Sequence, residues 1–385
     1  MNKTYFKGTH RVRGPAETLD IITPFLPRFG ITRLADVTGL DTLGIPVVMS
    51  VRPASATLSV SQGKGFDLVS AQVSAAMEAT ELWHAENAVP PAVAQGVCAT
   101  DLSLPYTVAE IDGAPESLAT DSTPLDWIEA AALCTGKATH VPRGLIEMRW
   151  QPAAWPPPLV VSTSNGLSSG NTRAESAVHG LYEAIERDAT STLAAIPVEQ
   201  RTYLRPETVT DPAARELIDR LIGNKAWLEI ISAPSRLGVP CFVCYLWSPD
   251  FGIAISSGSG AHSDPSVALC RAITEAAQSR LTCIVGSRDD INPQVFRAGQ
   301  PELRSPETVG QWVDWQQLSS SPQTFAACED EQAWLADQIF QLTGREPLLV
   351  DLSTEPAFAV TKVLCPGLAY LTRHEIPRPT LGAAA

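Results

Sequence analysis

No stretch of the 385 residues reaches the ~18 consecutive apolar positions that cross a bilayer, so a membrane-spanning helix is not expected. The opening residues, Met1-Asn2-Lys3-Thr4-Tyr5-Phe6-Lys7, are polar and lack the apolar core of a signal peptide. Positive charge is scarce: 28 Lys and Arg stand against 42 Asp and Glu, a net charge of −14. That balance disfavours nucleic acid or an anionic membrane as partner. The eight cysteines, at 98, 134, 241, 244, 270, 283, 328 and 365, mostly lie in apolar runs. They suit reduced, buried thiols in a cytoplasmic protein better than a disulfide framework. Cys241 and Cys244 have C-x-x-C spacing but no second such pair, which argues against zinc, and in a strand they would face opposite sides. The phosphate-loop pattern G-x-x-x-x-G-K-[ST] is missing, as are the G-x-S-x-G elbow and H-E-x-x-H. No internal repeat stands out at the level of residue identity.

What is present is a globular composition, 44% hydrophobic and 18% charged, long enough for two subdomains or one elaborate domain. Gly44–Val51 reads as a buried strand, Ser61–Gly65 as a turn, and Phe66–Asn87, without internal Pro or Gly, as a long helix. Residues 88–125 and 286–325 are rich in proline and read as irregular. Leu159–Thr163 is a candidate strand leading into the small-residue loop Ser164-Asn165-Gly166-Leu167-Ser168-Ser169-Gly170-Asn171. A helix follows from about Thr172, with Thr172 and Glu175 at capping-box spacing. Residues 205–225 read as helix, Val239–Trp247 and Gly252–Ser257 as strands, and Ser263-Asp264-Pro265 as a helix start. A helix near 329–343 and strands at Pro347–Leu352 and Ala357–Leu364 complete the pattern.

A glycine-bearing turn followed by a helix with a polar stripe occurs three times. After Gly63-Lys64-Gly65 the helix carries Ser70, Ser74, Glu78 and Glu81. After Gly166–Gly170 it carries Glu175, His179, Glu183 and Glu186, and after Gly258-Ser259-Gly260 it carries Arg271, Glu275 and Gln278. At about 100° per residue each set shares one helix face. The free N–H groups of a glycine turn at a helix start can hold phosphate. Lys64, Arg187 and Arg271 can neutralise phosphate oxygens, and the glutamates can hold magnesium. Solvated, capped amphipathic helices would show the same stripes one at a time. Only the recurrence favours a shared nucleotide site, because six glutamates at one place repel each other unless cations lie between them.

The blocks Ser61–Gly65 with Ser74–Glu81, Ser164–Thr172 with His179–Asp188, and Gly258–His262 with Arg271–Arg280 resemble those of the YcaO family over about residues 35–370. The resemblance implies an α/β (α+β) fold of mixed sheets whose helices converge on a central ATP and Mg2+ site. It implies an N-terminal segment at 1–50, a catalytic domain at 51–370 and an extended tail at 371–385. It also implies an ATP-dependent enzyme: a nucleophile adds to a peptide amide carbonyl, ATP phosphorylates the oxygen, and phosphate leaves. Carried over by position, Lys64, Ser74, Glu78, Asn171, Arg187, Arg271 and Gln278 bind ATP. Glu78, Glu81, Glu175, Glu183, Glu186 and Glu275 hold Mg2+, and Glu183, Glu186, Arg187 and Glu275 serve the chemistry. Azoline-forming cyclodehydratases of the family end in Pro-x-Pro-x-Pro, whereas this chain has only Pro377-Arg378-Pro379. The basic opening and Thr38-Gly39-Leu40-Asp41 look like stand-alone, thioamide-forming members that work with a TfuA-like partner on a peptide or protein substrate. A homodimer stays open, as do cyclodehydration and a non-catalytic nucleotide-binding accessory role.

Overall fold

The computed structural model describes residues 2–111, 117–149, 159–251, 255–288, 290–291, 296, 309–320 and 322–369. A hairpin, β1 (Thr4–Phe6) and β2 (Thr9–Arg11), precedes helix α1 (Pro15–Ile22). Strands β3 (Arg33–Asp36), β4 (Val47–Val51) and β5 (Val60–Lys64) lead into α2 (Leu68–Asn87). Next come β6 (Ala94–Val97), α3 (Val108–Ile111), β7 (Leu125–Ala132), β8 (Ala138–Pro142) and β9 (Leu167–Gly170), which feeds α4 (Arg173–Ala194). Then β10 (Thr202–Leu204), α5 (Pro212–Gly223), β11 (Trp227–Ser232), β12 (Cys241–Trp247) and β13 (Ser256–Ala261) lead to α6 (Pro265–Val285). The last described elements are β14 (Gln311–Val313), α7 (Trp315–Leu318), α8 (Cys328–Thr343), β15 (Leu348–Asp351) and β16 (Ala359–Leu364).

Beyond the hairpin there are three sheets among the described residues, ordered β3-β4-β5, β6-β7-β15-β16-β9 with β8 on β7, and β13-β12-β11-β10-β14. All pairings are antiparallel except β10 with β14. The strands β5, β9 and β13 each form the edge of a different sheet, and each is followed at once by a long helix. Each helix packs on its own strand and also touches the strand of another unit: α2 touches β9, α4 touches β13 and α6 touches β5. The three strand–helix units therefore close a ring.

Small residues set that packing. A Cβ on Gly63 would meet the backbone of Ala71 and Ala75, and one on Gly258 that of Ala272 and Ala276, all inside the 3.0 Å that real Cβ atoms keep. Gly258→Ala is expected to push α6 off β13 and cost about 2 kcal/mol, which a urea melt would show as a lower midpoint at unchanged slope.

These positions correct the sequence reading. Ser61–Lys64 is not a turn but strand β5, and the second of the two strands expected around 239–257 starts at Ser256 and runs through Gly258-Ser259-Gly260. Leu167–Gly170 is strand β9, paired with β16 from Leu167↔Lys362 to Gly170↔Ala359. Its backbone groups on that side are committed to a ladder, so the middle of the small-residue stretch is strand rather than loop. The described part of 159–163 is not strand, and 309–320 holds β14 and α7 rather than irregular chain alone. The helix ends were read closely: Thr172 caps α4, its hydroxyl accepting from Glu175 N at 3.1 Å, and Asp264 caps α6. Cys241 and Cys244 are both buried and join different core clusters on the two faces of β12, as their spacing predicts. The tail 371–385 and Pro377-Arg378-Pro379 lie outside the described residues.

Candidate functional site

At the centre of the ring each strand hands a side chain to the neighbouring unit's helix. Ser169 of β9 donates to Glu81 of α2 at 2.6 Å, and Ser259 of β13 donates to Glu186 of α4 at 2.6 Å. Lys64 of β5 pairs with Glu275 of α6 at 2.7 Å, and Gln278 donates to the Gln62 carbonyl at 3.0 Å. Arg187 lies along α4 and reaches Glu186 at 3.1 Å and Glu183 at 3.4 Å, while Gly166 N–H donates to Glu183 at 3.2 Å. The site thus gathers Lys64, Glu81, Glu183, Glu186, Arg187, Glu275 and Gln278 from three distant parts of the chain.

Matched by their helix-on-strand contacts, the units are not identical copies. Gly63 lies on Ala75 and Gly258 on Ala276, while Gly180 of α4 comes against Gly166 and Ser168. Lys64, Ser169 and Ser259 then occupy equivalent strand positions. Glu78 matches Glu183, and Glu81 matches Glu186. In α6 those two places hold Ser279 and Thr282. Glu275 sits one turn earlier, where the other helices have Ser74 and His179. The carboxylates are concentrated on α2 and α4, and α6 faces them with Arg271, Glu275 and Gln278.

Electrostatics divide the site into two lobes. Burial pushes Glu78 up to about 7, against the pull of Arg288 and Lys64. Burial pushes Glu81 up to about 8, and the neighbouring charges of Glu78 and Glu183 add to it while the Ser169 hydroxyl opposes it. Glu183 is raised by burial, with Arg187 opposing and Glu186 reinforcing. Burial acts the same way on Glu275, but Lys64 and Arg187 outweigh it and hold that carboxyl below its ordinary range. Buried carboxylates with raised proton affinity are groups short of positive charge. The other lobe is cationic. Arg11 reaches His179 Nε2 at 2.9 Å, and burial, then Arg11 and Arg271, hold His179 far below its ordinary value. His262 is held down in the same way by burial, then Arg271 and His10. Arg271 has no ion pair among the described residues.

A hard cation and an anion side by side would fit these two lobes. Magnesium takes oxygen ligands and keeps waters, needing one or two protein carboxylates plus phosphate oxygens rather than a closed cage. Among the described residues no three His, Cys, Asp or Glu side chains already meet as a ligand set. Buried polar atoms here also lack partners: Ser61 Oγ, Gln62 Nε2 and Arg187 Nε. Unsatisfied donors beside partly neutralised carboxylates fit a polar, charged ligand better than an apolar one.

Two of the expected ligands, Glu175 and Asn171, lie at the Arg11 end of the site and also hold the N-terminal segment. Glu175 accepts from Val12 N at 2.9 Å and Asn171 Nδ2 at 3.1 Å, with Arg11 at 3.8 Å. Asn171 in turn accepts from Thr18 at 2.9 Å. Both side chains therefore tie the N-terminal segment to the start of α4, and Glu175's oxygens are already engaged. Glu175→Ala should leave Val12 N and Asn171 without an acceptor and cost about 1–2 kcal/mol. Limited proteolysis near residues 8–13 should quicken. Ser74 makes no side-chain hydrogen bond among those described and lies at the helix position equivalent to His179 and Glu275.

Sequence reasoning missed Arg11, Ser169, Ser259 and Lys362 as site residues. The two serines follow Ser168 and Gly258 as Lys64 follows Gly63, so aligning the three units would have found them. Lys362 is a lone charge in the apolar run Ala359–Leu364, and it is only 2% exposed. A single lysine in such a strand is a signal in itself.

Comparison with known proteins agrees with this geometry. Residues 62–369 match the family model described as YcaO cyclodehydratase, ATP- and Mg2+-binding. An uncharacterized protein of Mycobacterium tuberculosis H37Rv is 36% identical over 97% of this chain and 85% of its own length. A protein of Rhizobium leguminosarum bv. trifolii, described as lying in the tfuA 3' region, is 33% identical over 92% of this chain and 87% of its own. Among solved structures, YcaO from Methanopyrus kandleri bound with AMPPCP and Mg2+ superimposes with a TM-score of 0.71 at 24% identity. That match covers 96% of this chain and 95% of the other.

Proposed function

The chain belongs to the YcaO family of ATP- and Mg2+-binding enzymes, and on that premise we propose that it forms thioamides, replacing a backbone amide oxygen of a peptide or protein with sulfur. The observation that carries the ATP part is the two-lobed centre, carboxylates on α2 and α4 facing cations from β2, β5 and α6. In this reading Lys64, Arg271 and Arg11 hold phosphate oxygens. Glu78, Glu81, Glu183, Glu186 and Glu275 face Mg2+, with Ser74 and Gln278 lining the nucleotide. Asn171 and Glu175 support the site from behind by anchoring residues 8–18. Bound Mg2+ would neutralise charge building on the transferred phosphoryl group.

The reaction class is balanced. Hydrosulfide adds to the amide carbon, and the resulting oxyanion takes the γ-phosphoryl group, releasing ADP. Phosphate then departs with the former amide oxygen and the sulfur gives up its proton, leaving C=S. Arg187 holds Glu183 and Glu186 in place, and Lys64 holds Glu275, so the carboxylates are oriented before substrate arrives. The choice of sulfur over cyclisation is supported by the Rhizobium relative described by its place beside tfuA. A TfuA-like partner supplying or handling sulfide accompanies this reading, as does a cytoplasmic place of action. No helix among the described residues is long and apolar enough to cross a membrane.

The test uses the purified protein with ATP, MgCl2, sodium sulfide, a TfuA-like protein and a substrate peptide. ADP release with a substrate gain of about 16 Da, S replacing O, is expected. A loss of about 18 Da would assign azoline formation instead.

A further inference from the structure

Strand β16, paired with β9 of the ring, touches the turn behind Glu183. It carries Lys362, a buried amine whose Nζ donates to the Thr163 carbonyl. No carboxylate lies within salt-bridge distance of it among the described residues.

The turn itself is held from both sides. Val363 N–H donates to the Gly166 carbonyl at 2.8 Å, and Leu167 N–H donates to Ser164 O at 2.8 Å. Gly166 has φ +74°, and a Cβ there would collide with the Val363 carbonyl. Gly166 N–H then points at Glu183 Oε2, 3.2 Å away. Two adjacent residues of β16 thus grip the two ends of Thr163–Gly166, and the turn delivers one hydrogen bond to Glu183.

A buried amine is costly to leave unpaired, so its hydrogen bond to the Thr163 carbonyl fixes that end of the turn. We propose that Lys362 is a positioning residue that, through the Thr163–Gly166 turn, holds Glu183 oriented toward the cation of the nucleotide complex. This rests on the reading of Glu183 as a Mg2+-facing group. Arg187 grips the same carboxylate from the front, and Lys362 backs it from the sheet. Outer groups that orient a ligating side chain commonly carry about 10–100-fold in affinity.

The experiment is titration calorimetry of a non-hydrolysable ATP analogue with MgCl2 into the full chain. The parent, Lys362→Met, Glu183→Gln and the double variant are compared, with circular dichroism as a check on folding. Lys362→Met is expected to weaken binding about tenfold. The double variant is expected to bind no more weakly than Glu183→Gln alone, since the lysine acts through that carboxylate. Effects that multiply, or Lys362→Met binding like the parent, would overturn the proposal. If Glu183→Gln itself binds like the parent, the Mg2+ reading of the site fails instead, and the two failures are told apart. Should Lys362→Met not fold, Lys362→Gln and Lys362→Arg replace it. Arg keeps a long donor for the Thr163 carbonyl, and Gln is too short to reach it from the same backbone position. Weakened binding in Gln with near-parent binding in Arg supports the proposal, and equal binding in both overturns it.

Discussion

Glu183→Gln is expected to lower kcat/KM for MgATP by about 10²-fold or more while leaving the fold intact. Glutamine keeps the size of the side chain and can still accept from Gly166 N–H, so packing of α4 is little changed. What it removes is the negative charge that lies between Arg187, Glu186 and Lys362. Half of the effect should appear as a higher Mg2+ requirement, because one carboxylate fewer faces the cation. Phosphate release measured against Mg2+ concentration separates the two parts. Release from Glu183→Gln equal to the parent at every Mg2+ concentration would remove Glu183 from the site.

Between pH 6.5 and 8 the protein without nucleotide and Mg2+ should lose about 1 kcal/mol of stability. The sign follows from Glu78 and Glu81. Burial raises their folded values to about 7 and about 8, above the ordinary 4.5 of the unfolded chain. In this window the unfolded chain has already released these protons and the folded chain still binds them. Their contribution is full below the unfolded value and is lost as pH rises through the folded ones. His84, His179 and His262, held down in the folded state, and Lys362, lowered by burial to about 8, oppose this loss within the window without cancelling it, and Glu275 titrates below 4.5. MgCl2 with an ATP analogue should flatten the slope, since the cation takes the place of the protons. Urea melts at half-unit pH steps measure it. A midpoint that rises from pH 6.5 to 8 without Mg2+ would contradict the picture of cation-starved carboxylates on α2.

The helices were the most legible part. α2, α4 and α6 carry long runs with good helix formers and polar stripes at helical spacing, with capping residues legible at Thr172 and Asp264 but not at Asp67, which was read inside the helix. Strands β5, β9 and β13 were not legible, because serine, glycine and lysine there read as turn. Their strand state comes from pairing with β4, β16 and β12, which are far away in sequence or face the core. Tertiary pairing overrides local preference in short edge strands. The glycines were noticed for the wrong reason: at Gly63 and Gly258 they let a helix backbone lie against a strand.

The sequence by itself determined the helix faces, the carboxylates and cations on them, and the family to which those blocks belong. Each depends on short-range spacing, which residue order alone fixes. Only the tertiary structure decided which of those groups meet. It placed Glu175 and Asn171 with the N-terminal segment and out of the carboxylate cluster. It laid α6 on its strand in the register of α2, so that Glu275, one turn before the places of Glu78 and Glu183, meets Lys64. It also brought Arg11 and Lys362, which share no stripe with the others, to the two sides of the site. Those outcomes depend on how three edge strands close a ring, and no local pattern records the register of a helix on a strand.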